Sequence, residues 1–326
     1  MKNMRWVVLM GSLTFASLMT ARQGHTQSTA PGEGKLEFEV ASVRQNLSSN
    51  GESYSNFPLS NGNIYRTPKA GDDAESGPGY FSARNQPMWR YIAFAYNLNG
   101  TQELAFRFNM FSGLSSTKVP KWVTGEFDAS ADRFDIVARA AGQPTKDEMR
   151  LMMRSLLEDR FQMAAHFETH EAPVFAMVLA KPGKMGPGLK VHPADDLCAE
   201  GSDASSAKNA SEARPEVCGV LGRLAPSAPG LFKISGRGIS LALLANSLPT
   251  QTGMATISKP VIDKTGLDGL YDVTLEWAGL QQDGSQNPAG PSFGEALRDQ
   301  LGLKLESDKG PVEILVIDHI EHPSEN

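Results

Sequence analysis

Phe134-Asp135-Ile136-Val137-Ala138 and Tyr271-Asp272-Val273-Thr274-Leu275 share one frame, an aromatic residue and an aspartate leading an extended run. The signals around the two runs come in one order. Downstream stands a capping box, Thr145 with Glu148 and Ser292 with Glu295, in which hydroxyl and carboxylate reciprocally satisfy free backbone donors at a helix start. Met149, Met152, Met153 and Leu156 follow at helical spacing in the first copy, and Phe293, Ala296, Leu297 and Leu301 in the second, where Gly302 stops the helix. Upstream, Tyr80, Phe81 and Ala83 form a strand running into Asn85-Gln86-Pro87, a helix-opening signal, with Met88, Tyr91, Ile92 and Ala95 behind it. Phe232 and Ile234, then Ser240, then Leu241, Leu244, Ala245 and Leu248 repeat that order. Lys121-Trp122-Val123 and Pro260-Val261-Ile262 read as a further extended segment in each.

Each copy closes on a strand pair. Phe161, Met163, Ala165 and Phe167 alternate with polar residues up to a turn at Thr169 to Ala172, and Val174 to Ala180 returns. Leu303 and Leu305 precede a turn at Ser307-Asp308-Lys309-Gly310, and Val312 to Ile320 returns. A period this long indicates two copies of a small domain rather than a solenoid. The predicted fold class is α+β, a tandem duplication of a βαββαββ domain whose two helices cover one face of a mixed sheet. The first copy spans 35–181, opens on a strand with Leu36, Phe38 and Val40 on one face, and carries a long insertion at 48–79 with a short hairpin around Asn61-Gly62. A connector follows at 182–230, its Gly183 to Gly188 read as linker, and the second copy occupies 231–322.

The start has the layout of a signal peptide. Lys2 and Arg5 precede an apolar run from Trp6 to Met19, too short for a membrane span, so residues 1–27 are expected to be a leader and a short disordered start. No membrane span is expected after its removal, which places the protein in the periplasm or outside the cell. Net charge is -6 and no Lys/Arg cluster stands ready to neutralise phosphates, which argues against nucleic acid as a partner. The chain has two cysteines, Cys198 and Cys218, flanking an Ala/Ser-rich stretch of the connector; in an oxidising compartment that pair is most simply a disulfide.

Reaction chemistry is hard to find. His166, Glu168 and His170 are alternate residues of one strand and could present two imidazoles and a carboxylate to a metal, but His170 falls at the predicted turn and the face is expected to be solvated. No metal, cofactor or catalytic residue is assigned. Asp263-Lys264-Thr265-Gly266 reads as a turn in which Asp263 accepts from nearby amides. Asp135 and Asp272 have no paired carboxylate or base nearby in sequence, and Gly-x-Ser-x-Gly is absent.

Several of these motifs together resemble one family. Lys259-Pro260-Val261-Ile262-Asp263-Lys264-Thr265-Gly266-Leu267, Tyr271-Asp272 with Leu275-Glu276-Trp277, and Leu301-Gly302-Leu303-Lys304-Leu305-Glu306 through Gly310-Pro311-Val312-Glu313 are similar to the soil-associated family of exported bacterial proteins of unknown function. Phe38-Glu39-Val40-Ala41-Ser42-Val43, Asp159-Arg160-Phe161 and His166 fit the same pattern, although the segment between Leu98 and Pro120 is longer than the family's. The resemblance implies an exported protein, with similar domains fused to antibiotic-sensor-type membrane metallopeptidases, and brings no catalytic residues. The element order is also similar to the short N-terminal domains of secretins and TonB-dependent receptors, which bind other proteins, an analogy of fold alone. The expectation is a non-catalytic module binding an envelope or extracellular protein or peptide, by strand addition at an exposed edge or in a composite groove formed by the two sheets. The rivals are an extracytoplasmic hydrolase with a site between the copies and a regulatory domain for an envelope peptidase.

Overall fold

The two aspartate runs are inner strands of two separate antiparallel sheets. The computed structural model describes residues 35–48, 52–56, 59, 79–108, 119–125, 131–194, 218–252, 256–280 and 289–323. Lys35–Asn326 forms one compact unit. In chain order come β1 (Val40–Asn46), β2 (Tyr54–Ser55), β3 (Tyr80–Pro87), α1 (Met88–Ala95), α2 (Gly100–Phe108), α3 (Lys121–Thr124), β4 (Arg133–Arg139), α4 (Lys146–Phe161) and β5 (Ala164–Leu179). Then follow β6 (Leu189–Val191), β7 (Val220–Leu224), β8 (Leu231–Ile239), α5 (Leu241–Thr252), β9 (Val261–Asp263), β10 (Tyr271–Ala278), α6 (Phe293–Leu301) and β11 (Leu303–His319). The class is α+β, as expected. The first sheet runs β1-β4-β3-β2 and the second β6-β10-β8-β7, and a third sheet runs β11-β5-β9.

Local chemistry explains the helices. Thr145 and Ser292 each accept from the amide three residues on, while Glu148 and Glu295 accept the cap residue's own amide, so both capping boxes are closed. Gln162 and Gly302, both in the left-handed region, end α4 and α6. The glycine run read as linker is instead packed onto the end of α6. Gly186 and Gly188 donate their amides to the carbonyls of Leu301 and Gln300, filling acceptors that a helix end leaves open. A Cβ at Gly186 would sit 2.3 Å from the Gln300 carbonyl oxygen, which is why only glycine fits.

The predicted closing hairpins do not form. Thr169 to Ala172 and Ser307 to Gly310 stay extended, and β5 and β11 run alongside each other in register from Leu303↔Leu179 to His319↔Ala164. The turn-like residues meet in the middle of this long pair, Lys309 opposite Pro173, Gly310 opposite Ala172 and Pro311 opposite Glu171. They mark the place where each strand leaves one core for another. The latter part of β5 brings Met177, with Phe175 and Leu179 beside it, to the core of Ile234, Leu244, Val273 and Leu297. The latter part of β11 carries Leu315 and Ile317, with Ile320 beyond it, to the core of Phe81, Ile92, Phe134 and Phe161. The exchange leaves neither half complete without the other's strand.

Other expectations change too. Lys121-Trp122-Val123 is a helical turn, α3, in which the Val123 amide donates to the Pro120 carbonyl; Trp122 lies against Phe134 and stacks on His322 at 4.1 Å. The opening strand begins only at Val40, and that residue is 68% exposed, while Phe38 packs against the first core. The connector at 182–230 contains β6 and β7, two strands of the second sheet. The long segment after Leu98 holds α2. Its Leu104 and Ala105 pack with Ala172, Val174, Val312, Ile314 and Val316, a third apolar cluster over the middle of the β5–β11 pair. The leader at 1–27, the hairpin around Asn61-Gly62 and Cys198 lie outside the described residues. No described helix is long and apolar enough to cross a membrane.

Candidate functional site

Asp135 and Asp272 do the same structural work in their two sheets. Each sits opposite a bulge, between Ala83 and Gln86 on β3 and near Gly236 to Ile239 on β8. Each bulge contains a positive-φ residue, Asn85 at 52° and Gly238 at 57°, whose amide cannot reach the ladder. Asp135 Oδ1 accepts the Asn85 amide at 2.7 Å, and Asp272 Oδ1 accepts the Gly238 amide at 3.0 Å. A basic residue stands in register with each acid, Arg44 opposite Asp135 and Lys190 opposite Asp272.

The two sites differ two residues further along that neighbouring strand. In the first sheet Asn46 donates its side-chain amide to Asp135 Oδ1 at 2.8 Å. In the second the equivalent residue is His192, whose Nδ1 lies 2.8 Å from Asp272 Oδ1. His192 and Asp272 are both buried, at 8% and 7% exposure. The other imidazole nitrogen, Nε2, faces Cys218 Sγ at 3.8 Å, within reach of a sulfur contact. Because Asp272 Oδ1 is an acceptor already holding the Gly238 amide, the proton between it and the ring belongs to Nδ1, leaving Nε2 for the sulfur. No described cysteine is free.

His192 escaped the sequence reading because it was placed in a connector. The available signal was Leu189-Lys190-Val191, a short alternating run. The first copy begins on a strand, so a second copy needed one as well, upstream of 231. Cys218 was identified, but only as a disulfide partner.

The predicted metal candidates do come together. His166, Glu168 and His170 lie on one strand, β5, with Asp318 across from them. His166 uses both nitrogens on carboxylates, Nδ1 to Asp318 at 2.8 Å and Nε2 to Glu168 at 3.0 Å, and His170 Nε2 meets Glu168 at 2.9 Å. These contacts raise the His166 pKa, chiefly through Asp318 and then Glu168, and lower that of Glu168, chiefly through His166 and then His170. Among the described residues no group of three or more His, Cys, Asp or Glu is arranged to hold a metal ion. The expected solvated face is only partly so. The register partners Val312, Ile314 and Val316 are buried under α2, leaving the imidazoles exposed along its border.

Asp263 forms the expected turn, accepting the Thr265 amide at 2.9 Å and its hydroxyl at 2.7 Å. Beside β11 lies a mostly apolar cleft of about 390 Å³. Phe175, Leu280, Phe293, Leu297 and Leu305 line it, with Arg298 and Lys304 among its polar groups. Among the described residues β11 is an edge strand of its sheet, paired on one side with β5. Its residues Glu306 to Lys309 are exposed where they run on from the cleft.

The model of a family described as protein of unknown function (DUF3738) matches residues 90–320. No curated protein and no solved structure matches the chain.

Proposed function

The chain belongs to the DUF3738 family of proteins of unknown function, and from that starting point we propose that it is an exported, non-catalytic module that binds an extended peptide. The observation that carries the reading is the edge strand β11, whose Lys304 and Leu305 form one wall of the apolar cleft. A peptide laid along Lys304 to Lys309 gains main-chain hydrogen bonds from the open edge and places one side chain in the cleft, the two terms that give strand addition its affinity and its specificity. The lining favours an apolar side chain, and Arg298 and Lys304 favour a carboxylate next to it. Lys304 is already paired with Glu306 at 2.7 Å, so Arg298 is the stronger anchor for that charge. Beyond Lys309, Pro311 carries no amide and guards the rest of the edge against indiscriminate pairing.

Export is read from the leader-like residues 1–27 and from the two cysteines, Cys198 and Cys218, whose pairing an oxidising compartment would favour. The hydrolase reading draws less support. The middle of the β5–β11 pair is packed by α2 through apolar contacts, and the acids and imidazoles beside it, His166, Glu168, His170 and Asp318, are exposed and paired with one another.

The test is selection of peptides from a random library on the mature protein, followed by hydrogen exchange and calorimetry. Expected are peptides with an apolar residue next to an acid, protection confined to Lys304 to Lys309, and loss of binding when alternate peptide amides are methylated. Gly294 offers a clean block. A Cβ there meets open space, so Gly294→Trp fills the cleft without disturbing the core. Peptides that protect another surface, or that bind Gly294→Trp undiminished, would overturn the proposal.

A further inference from the structure

We infer that the chain added along β11 ends at the cleft, which takes its apolar last side chain while Arg298 takes the free α-carboxylate of the same residue. The partner class is a protein or peptide with an apolar, uncapped carboxyl terminus. The inference rests on strand addition at β11, proposed above, and names what that site selects.

Position is the first argument. The cleft meets the open edge at Lys304 and Leu305, the amino-terminal end of the stretch Lys304 to Lys309. A chain added antiparallel, as β5 already pairs on the other side, runs from Lys309 toward Lys304 and brings its carboxyl end to the cleft. A parallel chain ending there would present its ammonium to the same cations.

Charge is the second. Arg298 and Lys304 are the charged residues of the lining, and both are cationic. Lys304 is engaged with Glu306 at 2.7 Å, whereas the Arg298 guanidinium has no ion pair among the described residues. Gly294, Leu297 and Arg298 are neighbours on one face of α6, and all three line the cleft. A guanidinium matches a carboxylate with two parallel N–H donors, which an ammonium does not.

The third argument is the shape of an extended chain. Successive side chains point to opposite faces, so an acid next to the apolar residue reaches Arg298 only by bending out of the strand. The α-carboxylate needs no bend, because it hangs from the Cα whose side chain meets Phe175, Phe293, Leu297 and Leu305. At about 390 Å³ the cleft is near the lower end of the range for ligand pockets, about 300–1,000 Å³, in keeping with one terminal residue.

Calorimetric titration of the full mature chain with defined probes tests this. Three are acetylated six-residue peptides of alternating threonine and valine. One ends in leucine with a free carboxylate, one is the same peptide as a carboxamide, and one is a carboxamide with an internal leucine followed by glutamate. The fourth probe is N-acetylleucine. The free acid is expected to bind roughly tenfold or more tighter than its carboxamide. Arg298→Gln is expected to abolish that difference and leave the carboxamide's Kd unchanged. N-acetylleucine, without the main-chain ladder, is expected to bind roughly a hundredfold more weakly than the free-acid peptide. Hydrogen exchange with the free-acid peptide is expected to protect Lys304 to Lys309.

Equal affinity of acid and carboxamide, or an internal acid that binds as tightly as the free terminus, overturns terminal capture. Strand addition then still stands where Lys304 to Lys309 remain protected. Protection at Lys304 to Lys309 by none of the peptides overturns both readings, as does N-acetylleucine binding as tightly as the peptide. Arg298 is exposed, so its replacement leaves the core untouched, and the comparison of acid with carboxamide on the unaltered chain decides without it.

Discussion

Cutting the chain after Pro311 separates the exchanged-strand fold from one of two independent copies. The cut removes Val312, Ile314, Leu315, Val316, Ile317 and Ile320, all buried. Leu315, Ile317 and Ile320 belong to the first core, more than a hundred residues away in sequence, and Val312, Ile314 and Val316 to the cluster under α2. At about 1.5–3 kcal/mol for each buried side chain, the loss is about 9–18 kcal/mol, an upper figure because unfolded chains are themselves partly compact. A whole domain is stable by about 5–15 kcal/mol, so the truncated chain is expected to lose cooperative folding throughout, including the first half, which keeps every residue of its own. Circular dichroism and urea unfolding measure this, and a fragment of residues 35–194 sharpens it. That fragment is expected to be unfolded alone and to fold on addition of a peptide of residues 311–323 together with the second half. Cooperative unfolding of 35–194 by itself would refute the reasoning, because it would mean that the first half closes its own hairpin.

Three further outcomes follow from local contacts. Asp318 and Glu168 favour the charged form of His166, so its NMR titration midpoint is expected above the ordinary imidazole value of about 6.5 and to fall in Asp318→Asn; an unchanged midpoint counts against the contact. Because the folded pKa of His166 is raised and that of Glu168 lowered, the contribution of their contact is present between the two ranges, lost as pH rises through the folded His166 value and lost as pH falls through the folded Glu168 value. Ser292→Ala opens the α6 capping box and is expected to cost about 1 kcal/mol in urea unfolding, with Thr145→Ala similar on α4. Gly186→Ala drives a Cβ to 2.3 Å from the Gln300 carbonyl, backbone against backbone, and is expected to cost about 1–3 kcal/mol, read as a lowered Tm.

The local elements were legible in the sequence and their pairing was not. Capping boxes, helix stripes and the aspartate strands are written within a few residues, and all of them appear where the pattern put them. Pairing of β5 with β11 joins residues such as Phe167 and Leu315, and no local signal distinguishes that partner from the hairpin partner a few residues away. The turn-like Glu171-Ala172-Pro173 and Ser307-Asp308-Lys309-Gly310 even favour the wrong answer. They are breakers, but ones that suit a strand changing cores as well as a strand reversing. The site was missed for a related reason. His192 and Cys218 stand at the two ends of a long segment, and only the return of β7 against β8 brings them together. Conversely, His166, Glu168 and His170 were visible because their spacing is local, and the carboxylates around them occupy the nitrogens a metal would need.

The exchange of strands also sets what binding at β11 can do. A peptide on Lys304 to Lys309 touches only the part of β11 that lies with the second core, yet the same strand continues into the first core at Leu315 and Ile317. If the unit unfolds in one step, that ligand stabilises both halves equally, by an amount set by its concentration over its Kd, about 2.7 kcal/mol at a hundredfold excess. In two separately closed copies the same ligand stabilises only the second. Hydrogen exchange at β4, which has no contact with the cleft, therefore distinguishes the alternatives: added peptide slows β4 amides in the exchanged fold and leaves them unchanged in a chain of independent domains.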